Sequence, residues 1–496
     1  MSRRKHVDTV RLVRTLALTI VLAATGCTLG PDYTRPDIDV PQSYRFADAV
    51  AATTTLPDVP AWWRAFGDAE LDALVLEGLE ANHDLRIATA RVEEFAAAVE
   101  ATHAQGLPQV GYGASAGRER SAGAVRDGYS ALLSASWELD LWGRIRREDE
   151  AARANLLATE QARLGVALTL VSSVVSSYVT LLDLDRSLEI AEVTLEGRRR
   201  SVEVFQMRLD GGAVSELEMM QVTAEYETAV ASIPGLKQSI AQQEDALSVL
   251  IGRNPGPIKR GRTLETLSAP PVPAGLPSDL IARRPDILQS EQQLVASNAL
   301  VGAARALYFP TLALTGSGGS VSRELDDLFS GPAKTWSFAG QLLGPIFAGG
   351  AIDAANTQAQ ARREQALETY QRTIQSAFRD VDDALVAIQS KRELVASLER
   401  QVVALKRAVE LANERYDNGY SDYLTVLDTE RSLFSSQLSL STARGDGYRS
   451  LVDLYRALGG NWIEQVAPLS ISERQPARDT AAIDVTRAPG ARTSPL

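Results

Sequence analysis

The sequence predicts a mainly α chain with a membrane β-barrel part, built from one helix–strand–strand–long helix–helix unit used twice. Three observations lead there. Features recur in the same order at offsets of 202–207 residues, too long for a solenoid repeat and in keeping with a duplicated domain. Residues 351–418 run for 68 positions with neither Gly nor Pro. Four short segments of alternating apolar and polar side chains stand in two pairs, each pair set between helical stretches.

Composition narrows the function before any motif is read. With 45% apolar and 23% charged residues in 496, the chain can bury a large core. A net charge of −12, from 51 basic and 63 acidic side chains, lacks the basic footprint of a nucleic-acid binder. One Cys and three His exclude a disulfide scaffold, a Cys-based zinc site and a His-rich metal cluster. No cofactor and no metal are expected, and an enzyme is the weakest reading. Gly316-Ser317-Gly318-Gly319-Ser320 lacks the Lys and the helix of a phosphate cradle.

Residues 1–26 read as a signal peptide. Arg3, Arg4, Lys5, Arg11 and Arg14 form a basic start, the apolar run 16–24 follows, and Thr25-Gly26-Cys27 closes it with small residues. The apolar run is too short for a stable membrane span. The sole Cys stands at that boundary and resembles a bacterial lipobox, with Ala24 where Leu is usual. Cys27 is therefore the expected lipid attachment site, since two acyl chains anchor stably where one does not. Thr28 in place of Asp points to the outer membrane rather than inner-membrane retention. Removing residues 1–26, with five basic and one acidic side chain, takes the net charge from −12 to −16.

Residues 27–60 are Pro-spaced and predict an extended arm. The first repeat spans 61–252, with strands near 108–118 and 128–138. A linker over 253–277 holds Pro255, Pro257, Pro270, Pro271, Pro273 and Pro277, which no helix interior or central strand tolerates. The second repeat spans 278–465, with strands near 310–320 and 334–344. The polar, Pro-containing tail 470–496 predicts disorder. Asn82-His83-Asp84-Leu85 answers Arg284-Pro285-Asp286-Ile287 at an offset of 202, and Arg208-Leu209-Asp210-Gly211-Gly212 answers Arg415-Tyr416-Asp417-Asn418-Gly419 at 207.

In residues 351–418 apolar side chains from Ile374 to Tyr416 recur at steps of three, four and seven, the pattern of a coiled-coil seam. A helix of 68 residues would reach roughly 100 Å, which suits a tube wall. The counterpart, 144–210, has no Pro. Its charge-free stretch 164–182 has the length of a membrane span. The Ser and Thr in it, and Arg372, Arg379, Asp380, Asp382 and Asp383 in its repeat partner, place it outside lipid.

The strands have the length a tilted membrane strand needs. Trp336, Phe338 and Leu342 share one face, with Thr335, Ser337 and Gln341 on the other. Tyr129, Ala131, Leu133, Ala135 and Trp137 share a face of their strand. A membrane sheet must close, because lipid cannot satisfy an edge, and four strands cannot close alone. Two copies would supply eight strands and three would supply twelve; a larger ring leaves a channel.

Several blocks carry a family resemblance. Gly26-Cys27-Thr28-Leu29-Gly30-Pro31-Asp32-Tyr33, Trp62-Trp63-Arg64-Ala65-Phe66-Gly67-Asp68, Gly275-Leu276-Pro277-Ser278-Asp279-Leu280, Arg283-Arg284-Pro285-Asp286 and Arg415-Tyr416-Asp417-Asn418-Gly419 occur in order. On these the chain, from about 27 to 465, resembles TolC-type outer-membrane efflux channels of the OprM/NodT-like lipoprotein branch. The resemblance implies a homotrimer, a twelve-stranded barrel continued by a periplasmic helical barrel, and residence in outer-membrane lipid. It also implies a periplasmic adaptor and an inner-membrane pump of the resistance-nodulation-division type as partners. The expected function is a passive exit duct for drugs and other small toxic compounds. A type I protein-secretion duct and a non-conducting envelope lipoprotein are the alternatives.

The resemblance also implies a closed periplasmic tip where helix pairs turn. Gate candidates are Arg415, Tyr416 and Asp428 in the second repeat and Glu218 in the first. Thr425 stands where some relatives carry a second Asp, and Gln221 is the repeat partner of Asp428, so the charge ring is thinner. The turn residues Gly211, Gly212, Asn418 and Gly419 are the candidate adaptor-docking surface.

Overall fold

The computed structural model describes residues 28–46, 61–121, 123–272 and 277–459. Cys27, the signal, residues 47–60 and the tail 470–496 lie outside the described residues. Helix starts are set by local chemistry. Asp68 accepts from the Glu70 and Leu71 amides at 2.9 and 3.3 Å, which opens α1 (Ala69–Ala81). Asn82 accepts from the Leu85 amide at 2.9 Å and opens α2 (His83–Ala104); each cap satisfies amides the helix cannot. Strands β1 (Gln109–Ser121) and β2 (Ala124–Leu139) follow, then the long α3 (Arg144–Asp210) and α4 (Glu216–Leu250).

The second repeat opens with the short α5 (Pro277–Arg283) and α6 (Pro285–Ala306). Arg284 gives α6 no side-chain cap; Pro285 at its first position has no amide to satisfy instead. Then come β3 (Thr311–Ser322), β4 (Lys334–Leu343), α7 (Ala351–Asp417) and α8 (Tyr423–Ala457). Matching helices have equal lengths: 22 residues in α2 and α6, 67 in α3 and α7, and 35 in α4 and α8.

The two hairpins join in one antiparallel sheet of order β1-β2-β3-β4. Register sorts its side chains into rows. Tyr112, Leu133, Gly318 and Trp336 form one row, and Val110, Ala135, Gly316 and Phe338 the next. Trp137 with Leu314, and Leu139 with Leu312 and Leu342, continue the same face. Tyr112 is 90% and Trp336 82% exposed, so large apolar groups cover an unpartnered face, as lipid contact requires. The opposite face carries Ser115 bonded to Ser130 and Ser317 bonded to Ser337, each at 2.8 Å. The hairpin β1–β2 runs further than its polar composition predicts. Arg118 pairs with Asp127 and Glu119 with Arg126 across the ladder, where the sequence reads as loop.

The charge-free stretch of α3 is core. Ala167, Val171, Val174, Val175, Tyr178 and Leu181 are fully buried and pack with Trp62, Trp63, Phe66 and the linker residues Ile258, Leu264 and Leu267. Each of the Val and Leu side chains among these contributes roughly 1.5–3 kcal/mol by burial. Trp62 stacks on Tyr455 at 4.8 Å between ring centres, joining the start of the first repeat to the last helix of the second. Tyr178 donates to Asp68 at 2.8 Å and accepts from the Gly261 amide at 2.9 Å.

The arm straps the repeats together. The Leu29 amide donates to the Trp142 carbonyl at 3.2 Å. Buried Arg147 of α3 pairs with Asp32 at 2.7 Å, and Arg35 pairs with Glu291 of α6 at 2.6 Å. Gly30 and Gly302 make the closest approach: a Cβ on Gly302 would lie 2.5 Å from the Leu29 carbonyl oxygen. Thr28 rests against Gly143, between β2 and α3.

Candidate functional site at the helix tips

Each long helix ends in a turn that the other repeat copies. The Ala213 amide donates back to the Arg208 carbonyl and the Tyr420 amide to that of Arg415, both at 2.8 Å. Gly212 (φ +70°) and Gly419 (φ +76°) take the left-handed conformation that Gly adopts without strain. Gly211 does not need it, with φ −81°, and Asn418 fills the equivalent place, its side-chain amide donating to the Glu414 carbonyl at 2.7 Å. The return helices start on Ser215 and Asp422, which accept from the amides of Glu218 and Thr425.

Between the turns lies a small aromatic core. Phe205 and Tyr423 are buried, with ring centres 4.3 Å apart, and Tyr416 lies 5.1 Å from Tyr423. The Arg208 guanidinium sits 5.7 Å from the Tyr416 ring and 5.9 Å from that of Phe205, and it pairs with Asp417 at 3.1 Å. Burial pushes the Tyr416 hydroxyl up; the Arg208 hydrogen bond and charge pull it down, and Glu218 adds to the rise. Burial, then Glu430, pushes Tyr423 up to about 12.

One layer further from the turns, Glu225 of α4 joins three helices. It is 7% exposed and pairs with Arg198 of α3 at 3.0 Å. It also accepts from Arg431 Nε of α8 at 2.8 Å. Arg198 donates at 2.6 Å to the Glu225 carbonyl as well. Arg431 reaches Asp428 at 3.3 Å, so Asp428 is the exposed end of an ionic chain crossing both repeats. Burial raises the neighbouring Glu430 carboxyl; Arg198 lowers it and Glu225 raises it further.

The predicted gate residues therefore do not form one cluster within a chain. Tyr416 belongs to the aromatic core, and Asp428 to the Glu225 chain. Glu218 closes a capping box, accepting from the Ser215 amide at 2.8 Å and hydroxyl at 2.9 Å. Arg415 donates to the Tyr420 carbonyl at 3.5 Å. The link to a carboxylate across the two repeats comes instead from the repeat partner of Arg415, Arg208, which pairs with Asp417. The 207-residue offset between the two tip motifs held the signal for Arg208; nothing in spacing marked Glu225 or Arg431. Around the turns Leu217, Met220, Tyr420 and Leu424 are exposed, and Leu217 and Leu424 occupy equivalent repeat positions.

A membrane-facing sheet with two free edges, continued by helices of tube-wall length that end in tight turns, has the architecture of a transport conduit. The sequence profile of outer membrane efflux proteins matches residues 74–253 and 276–460, and the chain belongs to that family. It is an outer-membrane efflux channel protein. Cation efflux system protein CusC of Escherichia coli K12 is 35% identical over 451 residues, covering 90% of this chain and 98% of CusC. Solvent efflux pump outer membrane protein SrpC of Pseudomonas putida is 35% identical over 465 residues, with 90% and 98% covered. The open-state crystal structure of the Neisseria gonorrhoeae MtrE outer membrane channel superposes with TM-score 0.80 at 32% identity, covering 88% of this chain and 98% of MtrE.

Proposed function

We propose that three copies close their sheets into one twelve-stranded barrel and continue it as a periplasmic helical tube. This is the exit duct of a tripartite efflux system. The observation that carries the reading is the pair of unpaired edges, β1 and β4, on a sheet whose outward face is fit only for lipid. Four strands per chain reach an even, channel-sized ring with three copies. Acyl chains on Cys27 would enter the membrane beside the periplasmic end of the sheet, a position supported by Thr28 against Gly143.

The tip is the gate in this reading. The Tyr416 core, Arg208–Asp417 and the Asp428 chain hold it closed, with Arg415 and Glu218 fixing the turns. Threefold symmetry gathers three Asp428 side chains, whose mutual repulsion favours opening and whose field attracts cations. A periplasmic adaptor docks on the turns 211–212 and 418–419 and their exposed apolar neighbours, and an inner-membrane pump supplies direction and energy. The middle inward strand rows, from Gln109–Ser136–Thr315–Ala339 through Gly111–Ser134–Ser317–Ser337 to Ser115–Ser130–Val321, are uncharged, with Glu138 below them and the Glu119–Arg126 pair above. That supports small organic molecules as cargo. Single-channel recording in planar bilayers tests the duct: stepwise currents from purified trimer are expected, and a protein that inserts without conducting would end the proposal. Drug susceptibility of a deletion strain, restored by the wild-type chain alone, tests the cargo class.

A further inference from the structure

The extracellular end of the outward sheet face changes character abruptly. Six successive outward rows, from Leu139–Leu312–Leu342 up to Ala116–Tyr129–Ser322, are apolar or small apart from one residue. At about 6.8 Å per two-residue step and a strand tilt near 40°, they cover roughly 25 Å, the height of the lipid band. The exception is Lys334, in the Ala114–Ala131–Ser320 row just below the upper edge, where a long side chain can extend its ammonium to the interface. The next two rows bring Arg118 and then Arg120 onto the same face. Both arginines and Lys334 are exposed.

These cations are placed by strand as well as by height. Arg118 and Arg120 lie on β1 and Lys334 on β4, the two free edges. In a closed ring, β1 of one copy borders β4 of the next, so every seam gathers all three. Asp127 pairs with Arg118 Nε at 3.2 Å and offsets part of one charge. Glu119 and Arg126 oppose each other on the inward face. The connection after β3 carries Arg323 with Glu324, Asp326 and Asp327, and its net acidity bounds the patch.

We infer that the extracellular end of each β1–β4 seam binds the phosphate-bearing headgroup of an outer-leaflet lipid. Arg118, Arg120 and Lys334 supply the charge, and the Tyr112–Trp336 and Tyr129 rows seat the acyl chains. Guanidinium groups suit phosphate oxygens through paired N–H donors, and an apolar wall directly beneath them is something a free anion does not use. The inference rests on the trimeric barrel proposed above.

The test is native mass spectrometry of purified, delipidated trimer offered bis-phosphorylated lipid A or its dephosphorylated form with the same acyl chains. Wild-type trimer is expected to retain the phosphorylated lipid preferentially. Retention should fall about fivefold for each charge removed in the series Arg118→Gln, Arg120→Gln and Lys334→Gln. Equal retention of the two lipids by wild type overturns the inference without any variant. So does undiminished retention by the triple variant, or full displacement by inorganic phosphate. Loss of the wild-type trimer itself would count against the barrel, whereas an intact trimer that ignores the phosphates counts against the headgroup site alone.

Discussion

Arg208 and Asp417 meet at 3.1 Å across the two tip turns, each contributed by a different repeat. Their ion pair is partly exposed, so it contributes about 1 kcal/mol or less, with the ring contacts of Arg208 adding about 0.5–1 kcal/mol. Asp417→Asn is expected to shift the closed-to-open ratio toward open by about fivefold per copy, seen as higher open probability in planar bilayers. Recordings indistinguishable from wild type would remove the pair from the gate.

Asp428→Asn and Arg415→Gln test the residues named from sequence. Neutralising Asp428 thins the charge ring and takes one carboxylate partner from Arg431, leaving Glu225 as the other. Lower sensitivity to cation block and an altered conductance are expected from the first, and altered conductance from the second. If neither conductance nor cation block moves, the gate assignment of these residues is discarded.

Glu225→Ala should be the most damaging single change near the tip. It leaves Arg198 buried without its carboxylate, at a cost of about 3–5 kcal/mol. Glu225→Gln keeps the shape and should cost less. Thermal unfolding of the purified protein reads both, and equal melting temperatures for wild type and the Ala variant would contradict the assignment.

Glu430 gives stability a pH dependence of defined sign. Its carboxyl is raised chiefly by burial, so the folded state binds the proton more tightly than the unfolded state does. Its contribution is therefore most favourable at acid pH, and it is lost as pH rises from the ordinary Glu range through the raised value. Glu430→Gln is expected to raise the melting temperature at neutral pH and flatten that slope; a variant less stable at neutral pH would reverse the argument.

Gly302→Ala tests the strap. The added methyl meets the Leu29 carbonyl and the Arg147 side chain, and overpacking of this kind costs about 1–3 kcal/mol. Faster proteolysis within residues 28–46, with helix content by circular dichroism unchanged, is the expected result. Wild-type resistance would mean that the arm does not need this close approach.

How much was legible depends on what each signal measures. The long helices and the outward strand rows show in the sequence because periodicity reports which side of an element meets an apolar medium. The upper part of the β1–β2 hairpin reads as loop in the sequence because Arg118, Glu119, Arg126 and Asp127 look like solvated turn residues, although the ladder continues through them. The charge of Glu218 suggests a gate, while Ser215 three residues earlier spells a capping box. The Tyr178–Asp68–Gly261 junction and the three-helix hold of Glu225 join residues 27 to 206 positions apart. Such contacts depend on how helices cross, which no single segment records.

The equal lengths of the paired helices have a manufacturing consequence. Six staves drawn from two patterns stand flush at the rim only if each pattern keeps its count, so an insertion inside one helix would leave a step through which the vessel leaks. Length could drift between the halves only in the hairpins and the short joints beside them. There the offset slips from 202 to 207, and an added residue changes a lip rather than the seal.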